Sequence, residues 1–373
     1  MDTMEKITTF NDTFNGKKVL ITGNTGFKGS WLTLWLLKAG ANVVGLSYDI
    51  PTKPSMFEVL NLKNKITHYV EDVRNSEKTK EIILNEKPDF IFHLAAQAIV
   101  STSYNDPLQT FTTNVIGTAN VFNSIRFLTN KCVAVFITSD KAYENVEWPW
   151  GYKETDRLSG KDIYSASKSA AENVIHSFHY SFTRHMDNIR IASARAGNVI
   201  GGGDWAADRI VPDCMRAWNK KEAVTIRSPH ATRPWQHVLE PLSGYLQLAE
   251  NLWHNAELDG ESFNFGPPSE ITLTVEEILR QLSTHWNYKD SSDAYKIIDN
   301  KKFHEAGLLK LNCDKALFHL KWLSNLKPDE LLAFTGKWYY EYYSSETDMY
   351  KYTLQQIDIY EQKAKEKKLK WTQ

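Results

Sequence analysis

Tyr164 and Lys168 stand four residues apart in Asp162-Ile163-Tyr164-Ser165-Ala166-Ser167-Lys168. On a helix that spacing brings a phenol and an ammonium onto one face, about one turn apart. A neighbouring ammonium favours phenolate, so a tyrosine with an ordinary pKa of ~10 becomes a usable base nearer neutrality. Upstream, Thr138-Ser139-Asp140-Lys141 sets a hydroxyl, a carboxyl and an amine in consecutive positions after an apolar run. Such a set can hydrogen-bond an oxygen, deliver a proton and remove one. The two stretches make a reaction site only if the fold brings them to one pocket.

The elements that must do so read as strands alternating with helices. Residues 17–22 are a β-branched run ending at Gly23, and Gly23-x-x-Gly26-x-x-Gly29 leads into the helical pattern Trp31, Leu32, Leu34, Trp35, Leu36, Leu37. Gly40 stops that helix, and residues 41–47 form a second strand. Strand, glycine turn, helix and strand make a βαβ unit suited to a pyrophosphate. Glycines let the backbone approach closely, and the helix N-terminus offers free N–H groups and a positive dipole end. Asp49, twenty residues after Gly29, stands where a carboxylate binds the adenosine ribose hydroxyls and disfavours a 2′-phosphate. The expected cofactor is therefore NAD, held by Gly23, Thr25, Gly26, Phe27, Lys28, Gly29 and Asp49.

Residues 68–74 form a short strand with a polar end, where Asp72, beside Val73, meets the adenine amino group or caps the next helix. Residues 90–97 form a buried strand that runs into Leu94, Ala95, Ala96 and Gln97, leaving room for a flat ring. His93 within that strand reads as a satisfied core histidine. Residues 107–128 are helical with Asn114 inside, and 132–138 form a strand with Ser139 to Lys141 at its carboxyl end. In open α/β sheets, sites form beyond the carboxyl ends of strands. A long helix over 164–184 and a strand over 189–194 complete the alternation, which predicts an α/β, doubly wound parallel sheet. Residues 1–203 are expected to be mainly the dinucleotide-binding domain. Residues 204–345 are expected to be mainly a smaller α/β substrate-binding part with an interwoven boundary, and 346–373 a charged helical tail. The run at 363–368 reads as a solvated helix end.

Bulk properties narrow the class. The 373 residues are 42% hydrophobic and 24% charged, which suits a globular protein with a real core. A net charge of −1 argues against electrostatic binding of nucleic acid. Cys132, Cys214 and Cys313 are odd in number and far apart, which suits reduced thiols and gives no metal-site spacing, so no metal is expected. Residues 1–16 lack the apolar core of a signal peptide, and no apolar run approaches the ~20 residues of a membrane span. A cytoplasmic protein without membrane contact is expected.

Gly23-x-x-Gly26-x-x-Gly29, Leu94-Ala95-Ala96-Gln97 and Tyr164-x-x-x-Lys168 together resemble the extended short-chain dehydrogenase/reductase family, over residues 17 to about 270. Within it, residues 26–32, 138–141, 195–205 and 232–242 are similar to the dehydratases of CDP-linked glucose. The resemblance implies a redox cycle in which NAD+ takes a hydride from C4 of a nucleotide sugar, water leaves across C5 and C6, and the hydride returns to C6. It assigns Tyr164, helped by Lys168, to the C4 hydroxyl proton, and Ser139 to a hydrogen bond with the same oxygen. Asp140 would protonate the departing C6 hydroxyl, if its pKa is raised. Lys141 would remove the C5 proton, or instead pair with Asp140 and shape the pocket; relatives acting on deoxythymidine-linked sugars carry Glu there. Three residues depart from the pattern: Asn24 replaces His, Ala142 replaces Cys and Ile163 replaces Pro.

The substrate diphosphate calls for cations, Arg209 and Arg233 first. Arg195 and Arg227 would serve either the substrate or structural ion pairs. Asn198 would donate to a phosphate or sugar oxygen. The resemblance adds His304, with Glu305, Leu311 and Asn312, to the base pocket. Trp205 and Trp235 either stack on substrate or lie in the core. Pairing of the helices from residues 107 and 164 across a two-fold implies a homodimer or homotetramer. The competing functions are a nucleotide-sugar 4-epimerase, a dehydratase of another nucleotide hexose, and an NAD(H)-binding sensor without turnover.

Overall fold

The computed structural model describes residues 7–226, 228–268, 271–286, 288, 290–298 and 308–373. Seven strands form one sheet: β1 Lys18–Thr22, β2 Asn42–Ser47, β3 Thr67–Val70, β4 Phe90–His93, β5 Cys132–Ile137, β6 Ile189–Ala196 and β7 Ser262–Phe265. All its pairings are parallel and the order is β7-β6-β5-β4-β1-β2-β3. The order reverses between β1 and β4, where ligands bind in doubly wound sheets.

Alternation along each strand feeds two cores. Val19 and Ile21 of β1 face α1 (Phe27–Lys38) and α6 (Leu239–His254). Leu20 faces the other side, with α2 (Ser76–Glu86), α3 (Gly117–Ile125) and α4 (Ile163–Ser181). With both faces covered, the strands are continuous apolar runs, the feature that made them readable.

The expected boundary at residue 203 is crossed twice. α6 returns to cover the sheet, and β7 extends it beside β6. The expected C-terminal tail is a helix, α8 (Met349–Glu366), but it is docked. The Trp35 indole on α1 donates to Glu361 at 2.7 Å, and Lys38 pairs with the same carboxylate at 2.5 Å. Trp371 stacks on Phe10 and Tyr360. Its charged run is exposed only on one side, because Tyr360, Glu361 and Ala364 point inward. Glu240 on α6 ties this arm to the rest, accepting from the amides of Asn325 and Leu326 and from the Tyr360 hydroxyl. Trp205 packs at 4.9 Å from Tyr342 and 5.7 Å from Trp338 of α7 (Pro328–Ser344), so it belongs to the core. Trp235 is likewise buried, its indole donating to the Leu273 carbonyl. Among the described residues, no helix is long and apolar enough to cross a membrane.

Candidate active site

Gly23 ends β1 with φ 76°, and a Cβ there would lie 2.7 Å from the Ala95 nitrogen. A Cβ on Gly29 would drive into the Gly23 carbonyl. The first turn of α1 thus closes directly on β1, leaving its amide groups open as a cradle for a pyrophosphate. Thr25 donates to the Asp49 carbonyl at 2.6 Å, which fixes the end of β2, and Asp49 itself is exposed there. Asn24, in place of the expected His, accepts from the Ser47 hydroxyl at 2.7 Å and meets His68 at 3.3 Å. It therefore still anchors the turn to β2 and β3. These features fit a dinucleotide. Gly29→Ala is expected to weaken NAD binding about 10–100-fold, an overpacking cost of ~1–3 kcal/mol, measured by titration calorimetry.

Asp72 does not cap α2; Asn75 does, accepting from the Lys78 amide. The Asp72 carboxylate is instead held by the Arg74 amide and guanidinium at 2.5–2.8 Å. Val73 is buried against Gly117, and its carbonyl accepts from Asn120. His93 is satisfied on both ring nitrogens, by Thr22 at 2.7 Å and Thr118 at 3.0 Å. Burial pulls its pKa down to about 3, which keeps it neutral as a core residue.

After β4 the chain runs through Leu94, Ala95 and Ala96 into Gln97, whose backbone is gripped by Asn114. Asn114 accepts from the Gln97 amide at 2.8 Å and donates to its carbonyl at 3.0 Å and to Ser167 at 2.8 Å. Asn114 lies in a π-turn, Thr112–Ile116, a break in helical geometry often found at functional sites. Its amide therefore ties the loop after β4 to the helix that carries Tyr164.

Ser139 caps a 3-10 turn, Asp140–Ala142, at the carboxyl end of β5. Asp162 caps α4, accepting from the Ser165 amide at 3.0 Å, so Ile163 holds the first helical position without the proline expected there. Ser169 of α4 donates to the Ala142 carbonyl at 2.5 Å, joining the two stretches. Tyr164, Lys168, Ser139 and Asp140 are all buried together, and the Lys141 ammonium lies 5.8 Å from the Tyr164 ring centroid. The Ser139 hydroxyl donates to Asp140 at 2.9 Å.

Burial pushes the Asp140 carboxyl above the usual range, against the pull of Lys141 and Ser139. Its second oxygen is buried without a hydrogen-bond partner, and a Cβ on Gly197 would lie 2.8 Å from it. An orphaned carboxyl oxygen costs less when it carries a proton, which is the direction an acid at this position needs. The pair that opens the site behaves differently from its spacing. Burial pushes Tyr164 up to about 12, opposed mainly by Ser139, and Lys168 is not among the principal groups acting on it. Lys168 is itself pulled down to about 8 by burial, with Glu172 opposing. Desolvation of the phenolate outweighs an ammonium one turn away.

Lys28 was expected only as part of the glycine turn, yet it reaches the reacting groups. Burial pulls it down to about 7, with repulsion from Arg209 and Lys168 next, and Asp140 opposing. A cation in the first turn of a helix is unfavourable, and that is the signal in the sequence that Lys28 has another task.

The arginines divide. Arg195 is a correction: its guanidinium is buried and spent on Glu172, with both contacts at 2.9 Å, and on the Tyr143 hydroxyl at 2.8 Å. That pairing removes it from the substrate. Arg209 is partly exposed, 2.8 Å from Asp204. Arg233 lines a shallow open cleft with Pro234, Pro267, Ile271 and Leu311. The Gly197 Cβ position lies 3.1 Å from Pro234 as well as against Asp140, so this cleft adjoins the acid. Asn198 follows β6, its carbonyl accepting from the Gln236 amide. Asn312 turns its side chain to Asp314. His304, Glu305 and Arg227 lie outside the described residues.

A parallel sheet with a dinucleotide cradle and an acid, an amine and a tyrosine at its switch point defines a class. The chain belongs to the GDP-mannose 4,6 dehydratase family, whose model matches residues 20–335. It is an NAD-dependent hydro-lyase of the nucleotide-sugar 4,6-dehydratase class. It is 44% identical over 331 residues to the CDP-glucose 4,6-dehydratase of Salmonella typhimurium, covering 87% of this chain and 91% of that protein. CDP-paratose 2-epimerase of Salmonella typhi is 24% identical over 293 residues, 72% of this chain and 85% of that one. Among solved structures, dTDP-glucose 4,6-dehydratase of Streptomyces venezuelae superposes with a TM-score of 0.73 at 20% identity, covering 87% of this chain and 97% of that one. UDP-glucose 4-epimerase of Thermotoga maritima gives 0.75 at 23% identity, covering 87% and 99%. At such identity these two likenesses show the fold.

Proposed function

We propose that this enzyme converts CDP-glucose to CDP-4-keto-6-deoxyglucose. The observation that carries the reading is Asp140, buried, raised above the usual carboxyl range and hydrogen-bonded by Ser139, because an epimerase or a sensor has no need of such an acid. When bound, NAD+ supplies the hydride acceptor and a positive charge that favours phenolate; Gly23, Thr25, Gly26, Phe27, Lys28, Gly29, Asp49, Asp72 and Gln97 would hold it. Tyr164 takes the C4 hydroxyl proton, and Ser139 hydrogen-bonds that oxygen as it becomes a carbonyl. The ketone acidifies C5, Lys141 removes its proton, and Asp140 protonates the departing C6 hydroxyl. Arg209 and Arg233 carry the diphosphate, with Asn198 beside them, and the proline-rich wall of the Arg233 cleft takes the base.

Incubation with a panel of nucleotide hexoses in deuterated water, followed by mass spectrometry, tests this. Loss of one water with deuterium at C5 from CDP-glucose supports it. A product of unchanged mass points to epimerisation, and no conversion of any sugar points to a binding protein.

Lys28 adds a pH dependence. Its charged form, which attracts a pyrophosphate, is present below its pKa of about 7 and lost above it. NAD affinity should therefore fall as pH rises through about 7, and a Lys28→Met variant should bind more weakly at low pH with a flatter profile.

The protein is further proposed to act in the cytoplasm as a homodimer. Leu108, Tyr104 and Ile116 are 76%, 57% and 49% exposed along the helical segments that precede α3, an apolar face suited to a second copy. Sedimentation velocity of the purified protein checks this, and a monomer at micromolar concentration would refute it.

A further inference from the structure

If the dehydratase reading holds, two side chains end each turnover in the wrong protonation state. C4 loses its hydroxyl proton to Tyr164 and its hydride, which comes back at C6. The C6–O bond breaks, and that oxygen departs as water with a proton from Asp140. C5 gives a proton to Lys141 and regains one in the product. Substrate and product then differ by one water with no net oxidation. Tyr164, however, holds one proton more than at the start and Asp140 one fewer. A second turnover requires that proton to pass from the phenol to the carboxylate.

We propose that the Ser139 hydroxyl is the relay that returns it, accepting from Tyr164 while donating to Asp140. The second half of this path is a hydrogen bond of 2.9 Å from the Ser139 oxygen to Asp140. For the first half, Ser139 is the hydrogen-bonding side chain that opposes the effect of burial at Tyr164. The Lys141 amide donates to the Ser139 oxygen at 3.2 Å and fixes its direction. Tyr164 and Asp140 are 8% and 2% exposed, so neither exchanges freely with bulk water. The basic groups around them are Lys28 on α1, Lys168 one turn on in α4, and Arg209 just before α5 (Ile210–Asn219). The Arg209 guanidinium has no lone pair with which to receive a proton, and an amine that took one from Tyr164 would still have to pass it on, whereas a hydroxyl accepts on one side as it donates on the other. Burial raises Asp140, the direction that helps it take the proton back.

The test compares the first turnover with later ones for the wild type, Ser139→Ala and Ser139→Thr, each with NAD and CDP-glucose, in increasing imidazole buffer at fixed pH and ionic strength. A Ser139 that only steadies the C4 oxygen slows the first and later turnovers alike. A relay predicts more for Ser139→Ala: a burst of one product per site, then turnover slower by about tenfold or more, rising with imidazole concentration as the buffer acid replaces the missing hydroxyl. The wild type and Ser139→Thr should show no such dependence. Equal slowing of both phases in Ser139→Ala without a buffer response, or a buffer response in Ser139→Thr, would overturn the relay. No dehydration by the wild type would sink the dehydratase reading instead.

Discussion

Lys141→Met is expected to separate oxidation from elimination. Methionine keeps the length and volume of the stem and removes only the amine. Loss of a general base costs typically 10²–10⁴-fold, so dehydration should fall by about that factor. The C4-oxidised sugar that still carries its C6 hydroxyl should accumulate, and reductive trapping followed by mass spectrometry would detect it. The expectation rests on position: Lys141 follows the acid directly and lies beside the Tyr164 ring, whereas Lys168 is buried on α4 under the influence of Glu172. If elimination survives in the variant, Lys141 only shapes the pocket, and the C5 proton goes to another group. Lys28 would then be the next amine to test.

Glu172→Gln should destabilise the protein by about 3–5 kcal/mol, the usual consequence of leaving one partner of a buried ion pair without the other. The Glu172 carboxylate accepts from Thr138, Ser193 and Arg195. Burial works to raise its pKa, and Arg195 overrides that and holds it below the usual value. Thr138 immediately precedes Ser139, and Glu172 lies one turn after Lys168, so the pair holds the end of β5 against α4. Denaturant unfolding would show the loss. The double variant Glu172→Gln with Arg195→Met should recover part of it, because no charge is left stranded. Were Arg195 instead a substrate ligand, its replacement by Met alone would raise KM with little change in unfolding.

Part of this could be read directly from the chain. The βαβ unit, the glycine cradle, Asp49 and the Tyr164–Lys168 face depend on residues within about thirty positions, where periodicity and spacing carry the geometry. The parallel order followed because strands covered on both faces must be apolar throughout. Satisfaction of His93 was also legible, as a lone histidine inside an apolar strand.

Other features rest on contacts that no local pattern encodes. Whether Arg195 meets a phosphate or Glu172 depends on where α4 lies against β6, a pairing across 23 residues. The C-terminal charges suggested a solvated helix end, because the inward residues Tyr360, Glu361 and Ala364 are too sparse to read without α1 beneath them. Lys28 approaches Asp140 only because α1 starts at the sheet's switch point.

The sequence by itself therefore determined which groups are present and which share a helix face or a strand end. The tertiary structure decided their protonation. A pKa depends on how much water and which charges surround a group, and these are set by the whole fold. Burial raised Tyr164 despite Lys168 one turn away, raised Asp140 beside Lys141, and lowered Lys28 among other cations. The spacing named the acid, the amine and the tyrosine; the packing around them decides which one holds the proton.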